Sequence, residues 1–202
     1  MSMKNAPSFL RLACWTWLVR LTLTLLLILP VHAYVASQEL ATENPNRIKA
    51  AFLRNFAHYV TWPASAFPDE RAPWQVCIVG RDPFGDMLEN TFKGRQEQQR
   101  PFEIQRAETL DKLQACHIIF VGLDSPAARR SILSELKNKP ILTVSDAPEF
   151  LREGGVIRFQ VGDRVRLNIN LDQARAASLA IQTRMLEVSQ EIVENGVARR
   201  LR

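Results

Sequence analysis

The residues that could perform chemistry in this 202-residue chain are few and lie far apart along the sequence. Beyond residue 33 there are two histidines, His58 and His117, and two cysteines, Cys77 and Cys116. Zinc sites are usually built from closely spaced motifs such as HExxH or paired CxxC, and the sequence contains neither of them. We therefore expect no metal site, and we interpret both histidines as structural residues.

Two serines, Ser125 and Ser145, follow predicted strands. Neither lies in the G-x-S-x-G motif of a hydrolase nucleophile, and no histidine is linked to either of them by sequence. Ser125 comes before Pro126, and Ser145 comes before Asp146, which are typical arrangements at the start of a helix. We therefore expect no catalytic residues and no enzymatic activity.

Three acidic residues, Asp82, Asp124 and Asp146, also follow predicted strands. In a parallel sheet these strand ends share one edge, where ligands usually bind, so three carboxylates there could hold a cation or accept a phosphoryl group. Each also lies just before a predicted helix, where aspartate caps the helix and interacts favourably with its dipole, and capping is the interpretation we favour. The turn after Gly80 has neither a G-x-G-x-x-G pattern nor a P-loop lysine, so we expect no nucleotide cofactor.

Aromatic residues at the ends of predicted elements are the remaining candidates for a binding site. The Trp62-Pro63 pair follows the first helix, and Phe84 opens a helix beside the strand-end cleft that the parallel sheet would form. These residues either pack loops onto the core or line an apolar pocket or a protein contact, and we favour packing. The candidate ligand or partner surface consists of Trp62, Pro63, Gly80, Phe84 and Gly122.

These residues are positioned by a regular alternation of strands and helices. Apolar residues at helical spacing from Ile48 to Val60 predict an amphipathic first helix, which Asn44-Pro45 starts and Trp62-Pro63 ends. Continuous apolar strands then alternate with capped helices, which favours a parallel sheet covered by helices on both faces. The predicted strands are residues 74–79, 101–106, 116–121 and 140–144, and the predicted helices are residues 82–92, 108–113, 125–136 and 146–151.

The C-terminal part has a different pattern. Residues 156–159 and 165–169 are two strands joined by Gly162-Asp163, which predicts a hairpin. Asp172 would then cap one long last helix, which Asn195-Gly196 would end. Residues 44–196 would form a single α/β domain, followed by a basic, solvated tail at residues 197–202. The apolar positions of the last helix are Ala174, Ala177, Ile181, Met185, Val188 and Ile192.

The first 33 residues predict export from the cytoplasm. Lys4, Arg11 and Arg20 precede or flank an apolar run at residues 21–29, and small residues precede a cleavage point after Ala33. An uncleaved membrane anchor is the alternative, although the wholly apolar run is too short for a spanning helix. Cleavage would leave a flexible leader at residues 34–43. Because three basic residues leave with the signal peptide, the net charge would fall from +5 to +2, which does not imply nucleic-acid binding.

An even pair of cysteines in an exported protein favours a disulfide between Cys77 and Cys116. The alternative is two buried free thiols, because both residues lie in apolar, strand-like runs. A bridge would close a loop of about 40 residues and would stabilise the fold by roughly 4 kcal/mol in the chain-entropy model.

Short motifs in a fixed order over residues 48–193 resemble the YfiR family of periplasmic regulators. The resemblance rests on the order and spacing of these motifs over nearly the whole domain. The matching segments are KAAFL at 49–53, Asn55-Phe56, VTWP at 60–63, CIVG at 77–80, Pro83-Phe84, CHIIF at 116–120, ILTVSD at 141–146, Phe150, GGVI at 154–157, RLNINL at 166–171, Leu179 and Met185-Leu186.

The resemblance implies a Rossmann-like three-layer α/β sandwich with a mostly parallel central sheet. It implies a periplasmic inhibitor that binds the periplasmic sensor part of an inner-membrane diguanylate cyclase and represses cyclic-di-GMP synthesis and biofilm formation. An outer-membrane OmpA-like lipoprotein would sequester the inhibitor, which would also tend to form a homodimer. Some relatives carry a second cysteine pair near the position of Gly154-Gly155. This chain has no cysteine beyond Cys116, so redox control would rest on Cys77 and Cys116 alone.

We expect the partner to contact the solvent side of the first and last helices and the Trp62-Pro63 loop. The alternative function is a periplasmic carrier or sensor of a small ligand, bound in the strand-end cleft near Gly80, Phe84 and Gly122.

Overall fold

The computed structural model describes residues 44–201. The predicted signal peptide and leader lie outside the described residues, as does Arg202. The helices are α1 (Pro45–Tyr59), α2 (Asp86–Phe92), α3 (Pro126–Glu135), α4 (Leu171–Ala176) and α5 (Thr183–Glu187), with short 3-10 turns at Ala64–Ala66 and Leu110–Lys112. The strands are β1 (Val60–Thr61), β2 (Trp74–Gly80), β3 (Gln96–Glu97), β4 (Arg100–Ala107), β5 (Ile118–Gly122), β6 (Leu142–Ser145), β7 (Ile157–Val161), β8 (Val165–Asn170), β9 (Ala180–Ile181), β10 (Ser189–Glu194) and β11 (Val197–Arg200).

Two of the longer helices begin at the caps that the sequence predicts. The side-chain oxygen of Asn44 accepts a hydrogen bond from the Asn46 N–H at 3.0 Å, and Pro45 takes the first helical position of α1. The Ser125 hydroxyl accepts from the Ala128 N–H at 3.3 Å at the start of α3. Each cap satisfies a backbone donor that the helix itself cannot pair.

Nine of the strands form one sheet in the order β11-β10-β8-β7-β6-β5-β2-β4-β3. The strands β4, β2, β5, β6 and β7 run parallel to one another, which confirms the predicted, mostly parallel sheet. Strand β2 lies between β4 and β5. The chain passes from β2 to β4 on one side of it and then crosses to β5 on the other side. Ligands of open α/β sheets usually bind at such a point.

The two faces of the sheet carry separate cores. On β2, Val76 and Ile78 belong to the larger core with α1, whereas Cys77 and Val79 belong to the smaller core with Leu133 of α3. Because both faces of the central strands are buried, the strands are apolar throughout rather than alternating. Helices therefore cover both faces, as the three-layer prediction requires.

The predicted single long helix after residue 172 is wrong. The segment folds as α4, β9, α5 and β10, and β10 pairs in parallel with β8. Helix α4 ends because Ser178 adopts a φ of +57° and the Leu179 N–H turns back to the Ala174 carbonyl at 2.8 Å. The apolar spacing did not distinguish the two structures, because Ala174 and Met185 are buried in the observed fold as a long helix would also have required.

Residues 197–200 form a strand instead of the predicted solvated tail. Strand β11 pairs antiparallel with β10 from Glu194 and Val197 outward. Asn195 and Gly196 are the turn residues, with φ of +52° and +72°. A two-residue hairpin turn of this kind requires positive φ at both positions, which Asn-Gly supplies at low cost. The motif that we interpreted as a helix stop is therefore the turn of a hairpin.

Candidate functional site

Asp82 folds the turn after β2 and does not cap α2, which begins at Asp86. Its Oδ1 accepts a hydrogen bond from the Phe84 N–H at 2.7 Å, and its Oδ2 lies 2.7 Å from Arg106 Nε. Arg106 also pairs with Glu89, and this contact lowers the pKa of the Glu89 carboxyl. The carboxylate of Asp82 therefore belongs to an ion-pair network that joins the turn to α2 and β4.

Asp146 fixes the first helix to the sheet. Its Oδ2 lies 2.9 Å from the Nζ atom of Lys49, a residue of α1 that is 3 % exposed. A buried ammonium group is unfavourable unless it is paired, so this contact constrains the position of α1. The local turn is formed by Ser145, whose hydroxyl accepts from the Ala147 N–H at 3.2 Å. Asp146 thus stabilises a helix that is distant in sequence and does not cap the segment that follows it.

Arg129 of α3 binds the backbone after β5, at Asp124, the third of the acidic candidates. Its guanidinium donates to the backbone carbonyls of Leu123 and Asp124 and forms two hydrogen bonds of 2.7 Å with the Glu153 carboxylate. The side chains of this pair are 6 % and 5 % exposed, and the hydrogen bond that Arg129 donates to Glu153 raises the pKa of Arg129. In the part of the chain that the structure describes, no three His, Cys, Asp or Glu side chains are placed to hold a metal ion.

The backbone after β2 contacts the end of β5, where the sequence predicts a strand-end cleft. Gly80 and Gly122 are direct neighbours in the sheet, and the Arg81 N–H donates to the Gly122 carbonyl at 2.9 Å. A Cβ atom on Gly122 would collide with the Arg81 carbonyl oxygen, so this close approach requires glycine. Phe84 is 1 % exposed, and its ring packs edge-on against Phe120. The structure brings Gly80, Phe84 and Gly122 together, but as packed backbone and core.

Trp62 and Pro63 begin the loop between β1 and β2. The Trp62 side chain is buried and packs edge-on against Trp74, with ring centroids 4.9 Å apart. Trp74 donates its indole N–H to the Glu97 carbonyl at 3.0 Å. Among the described residues the indole N–H of Trp62 has no acceptor. Trp62 therefore packs the loop onto the core, whereas Pro63 is half-buried at the surface of the loop.

His117 ties the same loop to the sheet. Its Nδ1 accepts a hydrogen bond from the Gln75 N–H at 2.9 Å, so its Nε2 carries the proton and donates it to the Ala66 carbonyl at 3.1 Å. The imidazole stacks on Phe67 at 4.3 Å, and the Arg100 guanidinium lies 4.1 Å from the centre of the Phe67 ring. Burial lowers the pKa of His117, so the ring is neutral at pH 7.

Cys77 and Cys116 form a disulfide with their Cα atoms 5.9 Å apart. The bridge connects β2 to the residue two positions before β5, within the smaller core and beside Leu133 and Leu136. This is the pairing that the sequence favoured over two free thiols. It joins a central strand of the sheet to the segment that leads into the neighbouring strand.

An apolar cavity of about 350 Å³ lies between α1, β8 and α5. This volume is within the usual range for sites that bind a small molecule or a single large side chain. Helix α1 contributes three aromatic side chains to its walls, and the other walls come from β8 and the α5 region. The apolar lining residues are Phe52, Phe56, Tyr59, Leu167, Met185 and Val188.

Polar groups lie at the rim of this cavity. Asn55 of α1 and the oppositely charged Arg184 and Glu187 of α5 are part of its lining. Val188 is 64 % exposed, so the apolar surface continues from the cavity to the outside. An apolar interior with a few polar rim groups suits binding and orientation of an apolar or amphipathic group.

The sequence does not indicate this cavity, because the apolar spacing of residues 172–195 predicts a single helix. Val188 was expected in the buried stripe of that helix, yet it is mostly exposed. A usable signal was present, because Asn195-Gly196 lies between runs that contain β-branched residues, and such a pair is a strong hairpin signal. A hairpin at Asn195-Gly196 predicts a strand before the turn, and therefore a last helix that ends before Val188.

The fold and these contacts define a class of protein: a Rossmann-like α/β domain whose sheet-edge polar residues support the structure and whose open cavity suits binding. Within residues 44–201 no helix has the length and hydropathy needed to cross a bilayer. The model of the YfiR/HmsC-like family matches residues 46–190, and the chain belongs to this family. The family comprises periplasmic regulators of diguanylate cyclase signalling and is regulatory rather than catalytic. The resemblance seen in the sequence motifs is thereby confirmed. No curated protein matches the chain.

Proposed function

We propose that this protein is a periplasmic negative regulator that binds the periplasmic sensor part of an inner-membrane diguanylate cyclase. Binding would lower cyclic-di-GMP synthesis and biofilm formation by favouring the inactive state of the cyclase. A binding partner can do this only through a higher affinity for that state. Membership of the YfiR/HmsC-like family over residues 46–190 is the observation that carries the proposal.

The cavity between α1 and α5 is the docking surface that we assign to the cyclase. Its apolar lining and the exposed Val188 offer a pocket for an apolar side chain, and such pockets supply most of the energy in protein interfaces. The pocket is preformed, because β1 pairs with β9 and the Gln182 N–H donates to the Tyr59 carbonyl at 2.9 Å. A preformed pocket reduces the entropy that is lost on binding.

Gene deletion and complementation test this proposal with a matched pair of variants. Val188→Asp places a charge at the mouth of the cavity, and Val161→Asp places the same charge on another exposed valine, at the end of β7. Deletion should raise cellular cyclic-di-GMP. The wild type and Val161→Asp should restore repression, whereas Val188→Asp should not, although both variants should accumulate and unfold at similar temperatures.

Unchanged cyclic-di-GMP in the deletion strain, with its cyclase present, would reject the regulatory function. Full repression by Val188→Asp would reject the docking surface alone. The wild type should co-purify with a membrane-bound cyclase, and Val188→Asp should not. This result would show that the loss of repression comes from loss of binding to the cyclase.

Two further partners belong to the same proposal. An outer-membrane OmpA-like lipoprotein would release the cyclase by sequestering the regulator, and the regulator would form a homodimer. Adding the purified lipoprotein to the regulator–cyclase complex should release the cyclase, and sedimentation of the regulator alone should show the dimer. A regulator–cyclase complex that persists in excess lipoprotein would reject the role of the lipoprotein. A regulator that is monomeric at all concentrations would reject the homodimer.

The cavity also favours a second candidate function, a sensor of a small periplasmic ligand. Its volume and its charged rim fit an amphipathic molecule. A thermal-shift screen with apolar and aromatic metabolites tests this function. A shift that Val188→Asp abolishes and Val161→Asp retains would support it, and no shift with any compound would reject it.

A further inference from the structure

Strand β11 is the outermost strand of the nine-stranded sheet, and all four of its residues are exposed. No strand between residues 44 and 201 pairs with its outer side. The family match ends at residue 190, so this strand lies beyond the matched segment. An open sheet edge is a template for pairing with another extended chain.

The hydrogen bonds to β10 show which backbone groups of β11 remain available. The Leu201 N–H donates to the Gln190 carbonyl at 2.9 Å, so residue 201 faces inward. Successive residues of an antiparallel strand alternate in direction, so Val197 and Arg199 also face β10. The N–H and C=O groups of Ala198 and Arg200 therefore point away from the sheet.

Contacts with α4 fix the position of the β10–β11 hairpin without a partner. The Asp172 carboxylate accepts from the Asn195 N–H at 2.9 Å and from the Gly196 N–H at 2.8 Å, which lowers the pKa of Asp172. Arg175 pairs with Glu194 on β10. The turn is thus anchored to α4 by a carboxylate that stays ionised, and β11 is presented in a fixed orientation.

The charges of β11 determine which strand can add to this edge. Arg199 and Arg200 lie on opposite faces of the strand, and residues 195–201 contain no acidic side chain. Arg200 lies 3.8 Å from Glu191 of β10, while Arg199 lies opposite Ile192. In a symmetric antiparallel pairing with a second copy centred on Arg199, like charges would lie directly opposite, which is unfavourable. An acidic strand would meet complementary charge on both faces.

We propose that β11 is a docking edge for an extended, acidic segment of a partner protein, which adds to the sheet as a further strand. Main-chain hydrogen bonds from Ala198 and Arg200 would supply affinity, and the arginines would select acidic over basic or neutral segments. The site is separate from the cavity between α1 and α5 and does not depend on the function proposed for that cavity.

A labelled valine peptide with two adjacent central glutamates, one for each face of the strand, and with blocked ends is the probe, and fluorescence anisotropy with the mature protein is the measurement. A peptide with lysine in place of glutamate is the charge control. Ala198→Pro removes the outward N–H of residue 198 and leaves the bonds of Val197 and Arg199 to β10, since proline is tolerated on an edge strand where its missing N–H faces solvent. Ala198→Val is the matched control.

The acidic peptide should bind more tightly than the basic peptide, and added salt should weaken it. Ala198→Pro should reduce its affinity about tenfold, whereas Ala198→Val should not, because only proline removes a strand hydrogen bond. The double variant Arg199→Glu, Arg200→Glu should reverse the charge preference, and it decides the matter if Ala198→Pro does not fold. The proposal would be overturned if both peptides bound equally well, or if the two Ala198 variants bound the acidic peptide with equal affinity. It would also be overturned if the wild type were a dimer that Ala198→Pro converts to a monomer.

Discussion

Reduction of the Cys77–Cys116 disulfide is expected to lower the free energy of unfolding by about 4 kcal/mol. The two cysteines are 39 residues apart in sequence. In the chain-entropy model a closed loop of this length removes about 13 cal/mol/K from the unfolded state, which corresponds to about 4 kcal/mol at 25 °C. The effect acts mainly on the unfolded chain, because β2 and β5 remain paired from Val76 and Ile118 to Gly80 and Gly122 without the bridge.

Urea unfolding of the oxidised and the reduced wild-type protein measures this effect. For a denaturant slope of about 2 kcal/mol/M, the midpoint should fall by about 2 M on reduction. The melting temperature should fall by roughly 8–16 °C for a domain of this size. The bridge is buried, so the protein should be unfolded, reduced and refolded under reducing conditions before the second measurement.

The double variant Cys77→Ala, Cys116→Ala is a useful comparison but not a substitute. It removes two buried sulfur atoms in addition to the bridge, and it should therefore be less stable than the reduced wild type by about 1 kcal/mol. A difference below about 1 kcal/mol between the oxidised and reduced wild type would refute the reasoning from loop closure. Detection of two free thiols in protein isolated from the periplasm would refute the bridge itself.

Three other contacts give predictions that the same unfolding assay can check. The pKa of His117 is lower in the folded protein than its ordinary value of about 6.5, so the unfolded chain takes up the proton first and stability should fall as the pH drops below about 6.5. His117→Gln should flatten this pH dependence, and an unchanged slope would mean that another group causes it. Glu153→Gln leaves the Arg129 charge buried with a neutral partner and should cost about 3 kcal/mol, so a cost below about 1 kcal/mol would show that the pair is solvated. Trp62→Phe deletes an indole N–H that has no acceptor among the described residues, so it should cost only the packing of the lost ring atoms, about 1–2 kcal/mol, whereas a loss above about 3 kcal/mol would reveal a further partner of the N–H.

The central sheet could be predicted from the sequence because its signals are local. Gly80 and Gly122 end apolar runs, and Asn44 and Ser125 cap helices with their own side chains. Each of these signals acts within a few residues, so tertiary structure had little scope to override it. The family resemblance was also readable, because its motifs coincide with these elements.

The contacts of the polar candidates could not be predicted, because they join residues that are distant in sequence. Asp146 reads as a local helix cap, and only the folded chain brings it to Lys49, 97 residues away. Phe84 reads as a residue at the edge of a cleft, and only the packing of its ring on Phe120 shows that it fills the core. An aspartate or an aromatic residue after a strand is compatible with either role until its neighbours are known.

The two proposed surfaces depend on different parts of the segment for which the sequence predicts one long helix, residues 172–195. Gln182, in the middle of that segment, donates its side-chain N–H to the His58 carbonyl at 3.0 Å and so holds α5 beside α1. Asp172, at its start, holds the turn of the β10–β11 hairpin. Gln182→Ala removes a hydrogen bond worth about 1 kcal/mol and should weaken repression through the cavity while leaving peptide binding at β11 unchanged. Asp172→Asn should expose the Asn195 and Gly196 amides to faster hydrogen exchange and weaken peptide binding, with repression unchanged. If either variant impaired both activities equally, the cavity and the edge strand would have to be parts of one binding surface.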